Sequence, residues 1–336
     1  MVWRERPIEE SEARWRRFVV LFVAVFAGSL AALLGLIVLL DPFDSGRFPA
    51  LPIAGVSDDS QRTANVSLGR SANFNAAIFG NSHGQLLDPE RMSVSTGLSF
   101  VQLTIPGANA PEQIATLGWF IRHHRRIGAI VLAADDRWCV EDPQPWHVFP
   151  FWLYGESNFA YLVNSLNTRP LTAAYRRVRF ALGLVAPSNP RGYDDYEIGL
   201  PKGYAFEFPA APPADDGVPA SAIQIGNRPF PAIAQLAALL ARLPPDTPLV
   251  ILFPPQFYTM LPVTGYEAAV LKECKARFAR LAAGAPRRGF LDFLVDTPTN
   301  RDPRNYTDLV HYRANVARGI EGRIADILNG RPAPAR

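Results

Sequence analysis

Cysteine is nearly absent, with only Cys139 and Cys274 in 336 residues. No Cys/His spacing suited to a metal occurs, and nothing in the chain calls for a cofactor. In an oxidising compartment the two thiols could pair; otherwise they read as small buried apolar side chains, and the sequence leaves both open. Excess charge of one sign is also missing. The formal net charge is +3 and the basic residues are scattered, so no electrostatic footprint for nucleic acid is present. Apolar residues make up 48% of the chain, which excludes general disorder and suffices for a substantial core.

Charge is wholly lacking from Phe18 to Leu40, a stretch of roughly 23 residues that as a helix reaches about 34 Å, enough to cross a bilayer core. The run is too long for the apolar region of a cleaved signal peptide, and Asp41-Pro42-Phe43-Asp44 follows it instead of a cleavage site. Arg4, Arg6, Arg14, Arg16 and Arg17 precede the span, whereas the nearest basic residues after it are Arg47 and Arg62. This asymmetry predicts a cytoplasmic head (1–17), a single anchor (18–40) and an extracytoplasmic remainder. Residues 41–72, with Pro, Gly and Ser but no sustained periodicity, read as a linker.

From residue 73 onward, apolar strand-like runs alternate with amphipathic helical patterns. Strands are expected at 76–80, 98–105, 128–134, 249–253 and 289–295, and helices at 111–126, 231–243, 266–283 and 314–328. The alternation predicts an α/β fold, a three-layer sandwich around a mainly parallel sheet of about five strands, over residues 73–330. In such sheets ligands bind beyond the carboxyl ends of the strands. An interval from 137 to 228 breaks the rhythm and is dense in aromatics and proline; it reads as an inserted cap. Its aromatic side chains serve either as packing over the sheet edge or as a lined groove for a sugar or acyl group.

Two short motifs carry chemistry. Ile78-Phe79-Gly80-Asn81-Ser82-His83-Gly84 is an apolar strand that breaks into a glycine-flanked polar turn, a geometry that presents a hydroxyl and leaves backbone N–H groups free. Asn305-Tyr306-Thr307-Asp308-Leu309-Val310-His311 sets a carboxylate three residues before an imidazole. Ser82, His311 and Asp308 together supply nucleophile, base and orienting group for acyl transfer, provided the fold brings them together. His83 adjoins the hydroxyl and reads as a contact to substrate or to the surrounding turn.

These blocks resemble those of the SGNH hydrolase superfamily, which includes the GDSL esterases and lipases. Ser82 matches its nucleophile and Asp308-x-x-His311 its terminal block. Gly107, in Ile105-Pro106-Gly107-Ala108-Asn109, is similar to the glycine whose N–H helps to bind the oxyanion. The resemblance covers about 74–138 and 247–328. With its anchor, the chain looks most like the envelope-polysaccharide acylation branch. It implies an inner-membrane protein with a periplasmic esterase or O-acyltransferase domain, acting on acylated carbohydrate and working with envelope-assembly proteins. Two departures stand out: Asn81 replaces the usual Asp, and Ala133-Ala134-Asp135-Asp136 occupies the place of a Gly-x-Asn-Asp block. An ionised Asp135 accepts hydrogen bonds only, so it serves as an oxyanion donor only when protonated; Asn109 is the substitute donor within reach of the motif. A silent glycan-binding or scaffold protein is the reading that follows if neither donates.

Overall fold

A computed structural model describes residues 8–48, 55–57, 60–145, 147–186, 189–209 and 217–331. The chain begins with α1 (Ile8–Leu40), α2 (Gln61–Arg70), β1 (Ala76–Gly80), α3 (Pro89–Thr96), β2 (Phe100–Gln102), α4 (Ala110–His123) and β3 (Ala129–Ala133). Three helices of the 137–228 interval follow, α5 (Phe151–Tyr154), α6 (Asn158–Asn164) and α7 (Thr168–Ala181). It ends with α8 (Pro231–Leu240), β4 (Leu249–Phe253), α9 (Gly265–Ala282), β5 (Arg288–Asp292), α10 (Pro298–Arg301) and α11 (Ala314–Leu328).

The five strands form one parallel sheet in the order β2-β1-β3-β4-β5. β1, β3 and β4 are buried along their whole length, which is why they appear in the sequence as unbroken apolar runs rather than alternating ones. Alternate residues supply the two cores. Ala77 and Phe79 join Leu117 and Phe120 of α4, Leu236 of α8 and Phe278 of α9 on one face. Ala76 and Ile78 join Met92 of α3 and Ile320 and Ile324 of α11 on the other. β2 is shorter than the expected 98–105, but its pairing continues irregularly, with the Leu103 and Ile105 amides donating to the carbonyls of Ile78 and Gly80.

The strand order reverses direction between β1 and β3, so the connections leaving these two neighbours run to opposite faces and open a crevice at their carboxyl ends. Ser82 lies just beyond β1 and Asp135 just beyond β3. The sheet therefore places both at the one point where its topology makes a natural binding cleft.

α1 is long and apolar enough to span a membrane. Its candidate span, Glu12–Leu40, is 29 residues, and only 11% of the most apolar window is buried inside the protein, unlike a core helix. The helix starts at Ile8, so Arg14, Arg16 and Arg17 of the expected head continue it; residues 1–7 lie outside those described.

The expected linker, 41–72, is corrected. Asp41 to Ser45 are buried and residues 61–70 form α2, packed on α4. No apolar period marked this helix because the side it buries is made of Ala64, Asn65, Val66, Ser67 and Gly69. Polar contacts do the work that apolar ones usually do: Asn65 Nδ2 donates to the Thr104 carbonyl, and Trp119 Nε1 donates to that of Val66. Pro49 to Ala54, Asp58 and Asp59 of the stretch lie outside the described residues.

Candidate active site

β1 ends against β3 so closely that only glycine fits. A Cβ on Gly80 would lie 2.9 Å from the Ala133 carbonyl oxygen, and one on Gly84 would lie 3.0 Å from Ala133 Cβ and 3.2 Å from Thr104 Cγ2. Between these glycines the chain makes a 3₁₀ turn, Ser82–Gly84, capped by Asn81, whose Oδ1 accepts from the His83 amide at 3.0 Å. The turn lifts the Ser82 side chain to a half-buried position.

The second motif is a compact loop just before α11. Thr307 N–H donates to the His311 carbonyl at 2.8 Å, closing the loop on itself. Inside it, Asp308 Oδ1 accepts from the amides of Val310 and His311 at 2.8 and 2.9 Å, while Oδ2 lies 2.7 Å from His311 Nδ1. An ionised carboxylate only accepts, so Nδ1 carries the proton and Nε2 presents its lone pair outward. That lone pair meets Ser82 Oγ at 2.9 Å. Burial alone would raise the Asp308 carboxyl, but the hydrogen bonds from the His311 ring and from the Val310 and His311 amides outweigh it and hold it below the ordinary value. The side chains of His311 and Asp308 remain 26% and 33% exposed, so the arrangement opens to solvent rather than to an enclosed cavity.

Residues 229 positions apart thus form a continuous hydroxyl–imidazole–carboxylate relay. Its other expected members fall into place differently. Gly107 sits at φ +69° in the loop after β2, which runs beside the Ser82 turn because the Ile105 amide pairs with the Gly80 carbonyl. Among the described residues, neither the Ser82 nor the Gly107 N–H has an intramolecular acceptor. The Asn109 side chain is engaged on the side of Gln144 and Arg137: its Nδ2 donates one hydrogen bond to the Gln144 carbonyl and its Oδ1 accepts from Arg137 Nη1 at 3.4 Å.

Asp135 is 1% exposed and accepts from Asn81 Nδ2 and, at 3.2 Å, from the Arg137 amide. Burial pushes its carboxyl up to about 6, against the lowering effect of the Asn81 hydrogen bond and of the Arg137 charge. Its oxygens are occupied as acceptors. Its evident work is to hold Asn81, which in turn holds the His83 amide and so the Ser82 turn. The His83 ring is buried beside it, with Nδ1 3.7 Å from Asp135 Oδ2, and meets the His311 ring edge-on at 5.7 Å. Burial first, and then the neighbouring His311, push the His83 imidazole down to about 4. The ring is thus packed under the relay, 8% exposed.

The 137–228 interval contributes contacts that no local pattern in the sequence signalled. Tyr196 donates its hydroxyl to the Tyr312 carbonyl, and its ring stands edge-on to His311 at 5.2 Å. Glu197 accepts from Arg313 Nη1 at 2.9 Å and from the Ala314 amide at 2.6 Å, capping α11. Together they clamp the His311 loop from outside.

No protein-family model and no curated protein matches this chain. The site's chemistry is therefore read from its own geometry. Among the described residues no group of three or more His, Cys, Asp or Glu is placed to hold a metal ion.

Proposed function

We propose that the protein is a membrane-anchored serine esterase or O-acyltransferase of the SGNH type, acting outside the cytoplasm on acylated envelope carbohydrate. One observation carries this reading: the unbroken contact from Asp308 through His311 to Ser82. In the proposed cycle His311 Nε2 takes the Ser82 proton as Oγ attacks an ester carbonyl, and the Asp308 carboxylate steadies the imidazolium. The N–H groups of Ser82 and Gly107 receive the oxyanion. His311 returns its proton to the departing alcohol, leaving an acyl-serine. A water molecule or a sugar hydroxyl, deprotonated by the same imidazole, then takes the acyl group and restores Ser82. The openness of the relay suits a polymeric acceptor. Arginine enrichment before the charge-free span 18–40 supports a cytoplasmic N-terminus, and the Cys139–Cys274 disulfide supports an oxidising compartment for the rest.

A second reading, a silent glycan-binding or scaffold protein, is favoured by Asp135, an acceptor in the place of an oxyanion donor. Loss of one such donor costs on the order of a hundredfold or more in rate. The full chain in detergent separates the two. A fluorophosphonate probe should label Ser82, a short-chain aryl acetate should be hydrolysed, and Ser82→Ala should abolish both. Absence of labelling in a folded protein that still binds acylated glycan would establish the scaffold reading instead.

A further inference from the structure

Among the described residues of the 137–228 interval, α6 and α7 carry apolar side chains that point away from the protein in rows. On α7, Leu171, Tyr175 and Val178, and Leu182 just past its end, recur at helical spacing and are exposed, Tyr175 at 63% and Leu182 at 67%. The opposite side of α7 is its packing side, with Pro170, Ala174 and Arg177 buried. On α6, Tyr161 is buried, whereas Phe159 (77% exposed), Val163 and, just past the helix, Leu166 face outward. A soluble surface rarely carries two adjoining helices patterned this way without something covering them.

Three observations identify the cover as the membrane that α1 enters. The first is continuity. α7 packs on α1, and Leu33 and Ile37 of α1 share one apolar cluster with Tyr161 and Leu162 of α6 and Ala173 of α7. The second is length. Counted from Phe18, the first residue after the charged turn, about 30 Å of hydrocarbon takes about 20 residues of helix, which ends close to Ile37, where α6 and α7 hold α1, so that end of α1 lies near headgroup depth. The third is charge. Between Glu156 and Asp194 no acidic residue occurs, and Arg169 and Arg179 stand on α7, whereas Arg177 and Arg191 are paired with Asp44 and Glu90. The Arg179 guanidinium lies 5.7 Å over the Tyr175 ring, at the edge of the apolar row, where an anionic headgroup would meet it. Arg177 fixes the roll of α7, because its guanidinium is buried against Asp44, four residues past α1, at 3.1 Å.

We propose that α6 and α7 lie in the interface of the bilayer spanned by α1, with these apolar rows in the acyl boundary and arginines among anionic headgroups. The protein thus contacts the membrane twice, once through it and once along it, and the second contact fixes the tilt of the sheet and its cleft over the surface. The inference stands whichever reaction Ser82 performs and whichever way α1 is oriented.

Site-directed spin labelling of the full chain in phosphatidylcholine–phosphatidylglycerol vesicles tests it; both native cysteines are in the disulfide and do not compete for label. Labels at Val163→Cys and Val178→Cys should collide more with dissolved oxygen than with a water-soluble nickel chelate. A label at Val94→Cys, on exposed α3, should show the reverse, with a several-fold lower oxygen-to-nickel ratio. Tyr175→Cys, in the same row, replaces a position whose variant does not fold. Labels at 163 and 178 that behave like 94 would overturn the proposal. So would labels shielded from both reagents, which would mean that a second protein covers this face.

Discussion

Asp135 and His83 are pushed in opposite directions by the same burial, and their pH signatures should oppose each other. The Asp135 carboxyl, raised to about 6 from an ordinary 3.8, costs stability as pH rises through that window, and the cost is complete above it. The His83 imidazole, lowered to about 4 from 6.5, contributes stability that is present above 6.5 and lost as pH falls toward 4. Acidification therefore gains from one group while it loses from the other. In Asp135→Asn only the histidine loss remains, so the melting temperature of the variant should fall more steeply than that of the native chain between pH 6.5 and 4. Parallel curves would mean that Asp135 titrates as an ordinary carboxyl. Of the groups facing the pair, Asn81, Arg137, Asp308 and His311 are kept in both proteins; Asp136, whose carboxyl is raised by burial and then by the Asp135 charge, is relieved of that charge in the variant, which removes a further gain on acidification and acts in the same direction. Ser82, Asp308 and His311 were legible in the sequence because each sits in a local motif whose turn residues dictate its geometry. Tyr196 and Glu197 were not, because their reach to the His311 loop is set by the tertiary path of a long irregular segment and not by neighbours in sequence.

Elements were legible in proportion to how apolar their buried sides are. β1, β4 and α11 follow directly from their patterns, since a strand buried on both faces must be an apolar run and a packed helix must repeat its core residues. α2 was invisible for the converse reason: its buried side is small and polar, satisfied by Thr104 and Trp119 rather than by burial of large side chains. The pairing of Cys139 with Cys274 was equally beyond reach, because it depends on how the turn after β3 meets α9. Their Cα atoms lie 5.6 Å apart across a sequence separation of 135. A link closing so long a loop restricts the unfolded chain, and removing a native disulfide typically costs about 2–5 kcal/mol. The double variant Cys139→Ala/Cys274→Ala should lose stability in that range by urea unfolding, and reductant should bring the native chain to a similar midpoint. If reductant leaves the native midpoint in place, the link contributes nothing measurable.

At the scale of the whole molecule, the anchor is joined to the globular part by a buried ionic centre rather than by a tether. Asp44 receives Arg70 from α2, Arg177 from α7 at 3.1 Å, Ser67 Oγ at 2.6 Å and the Gly55 amide at 2.8 Å. Phe43 beside it is buried with the end of α1 in the cluster that also holds Trp119 and Tyr161. A flexible linker would let the cleft sample every orientation over a membrane; this junction permits few. Its energetic weight follows from Arg177, whose side chain is 3% exposed. Removing the carboxylate strands a buried cation, at a cost of about 3–5 kcal/mol. A chain beginning at Asp41 loses the Leu33 and Ile37 contacts of α1 but keeps the Asp44 centre, whereas one beginning at Arg47 loses both and should be less stable than the first by at least that amount in urea unfolding. Asp44→Asn in the full chain isolates the charge from the lost packing of Phe43 and should reproduce most of the difference. Equal stability of the two truncated chains would return residues 41–46 to the role of a plain spacer.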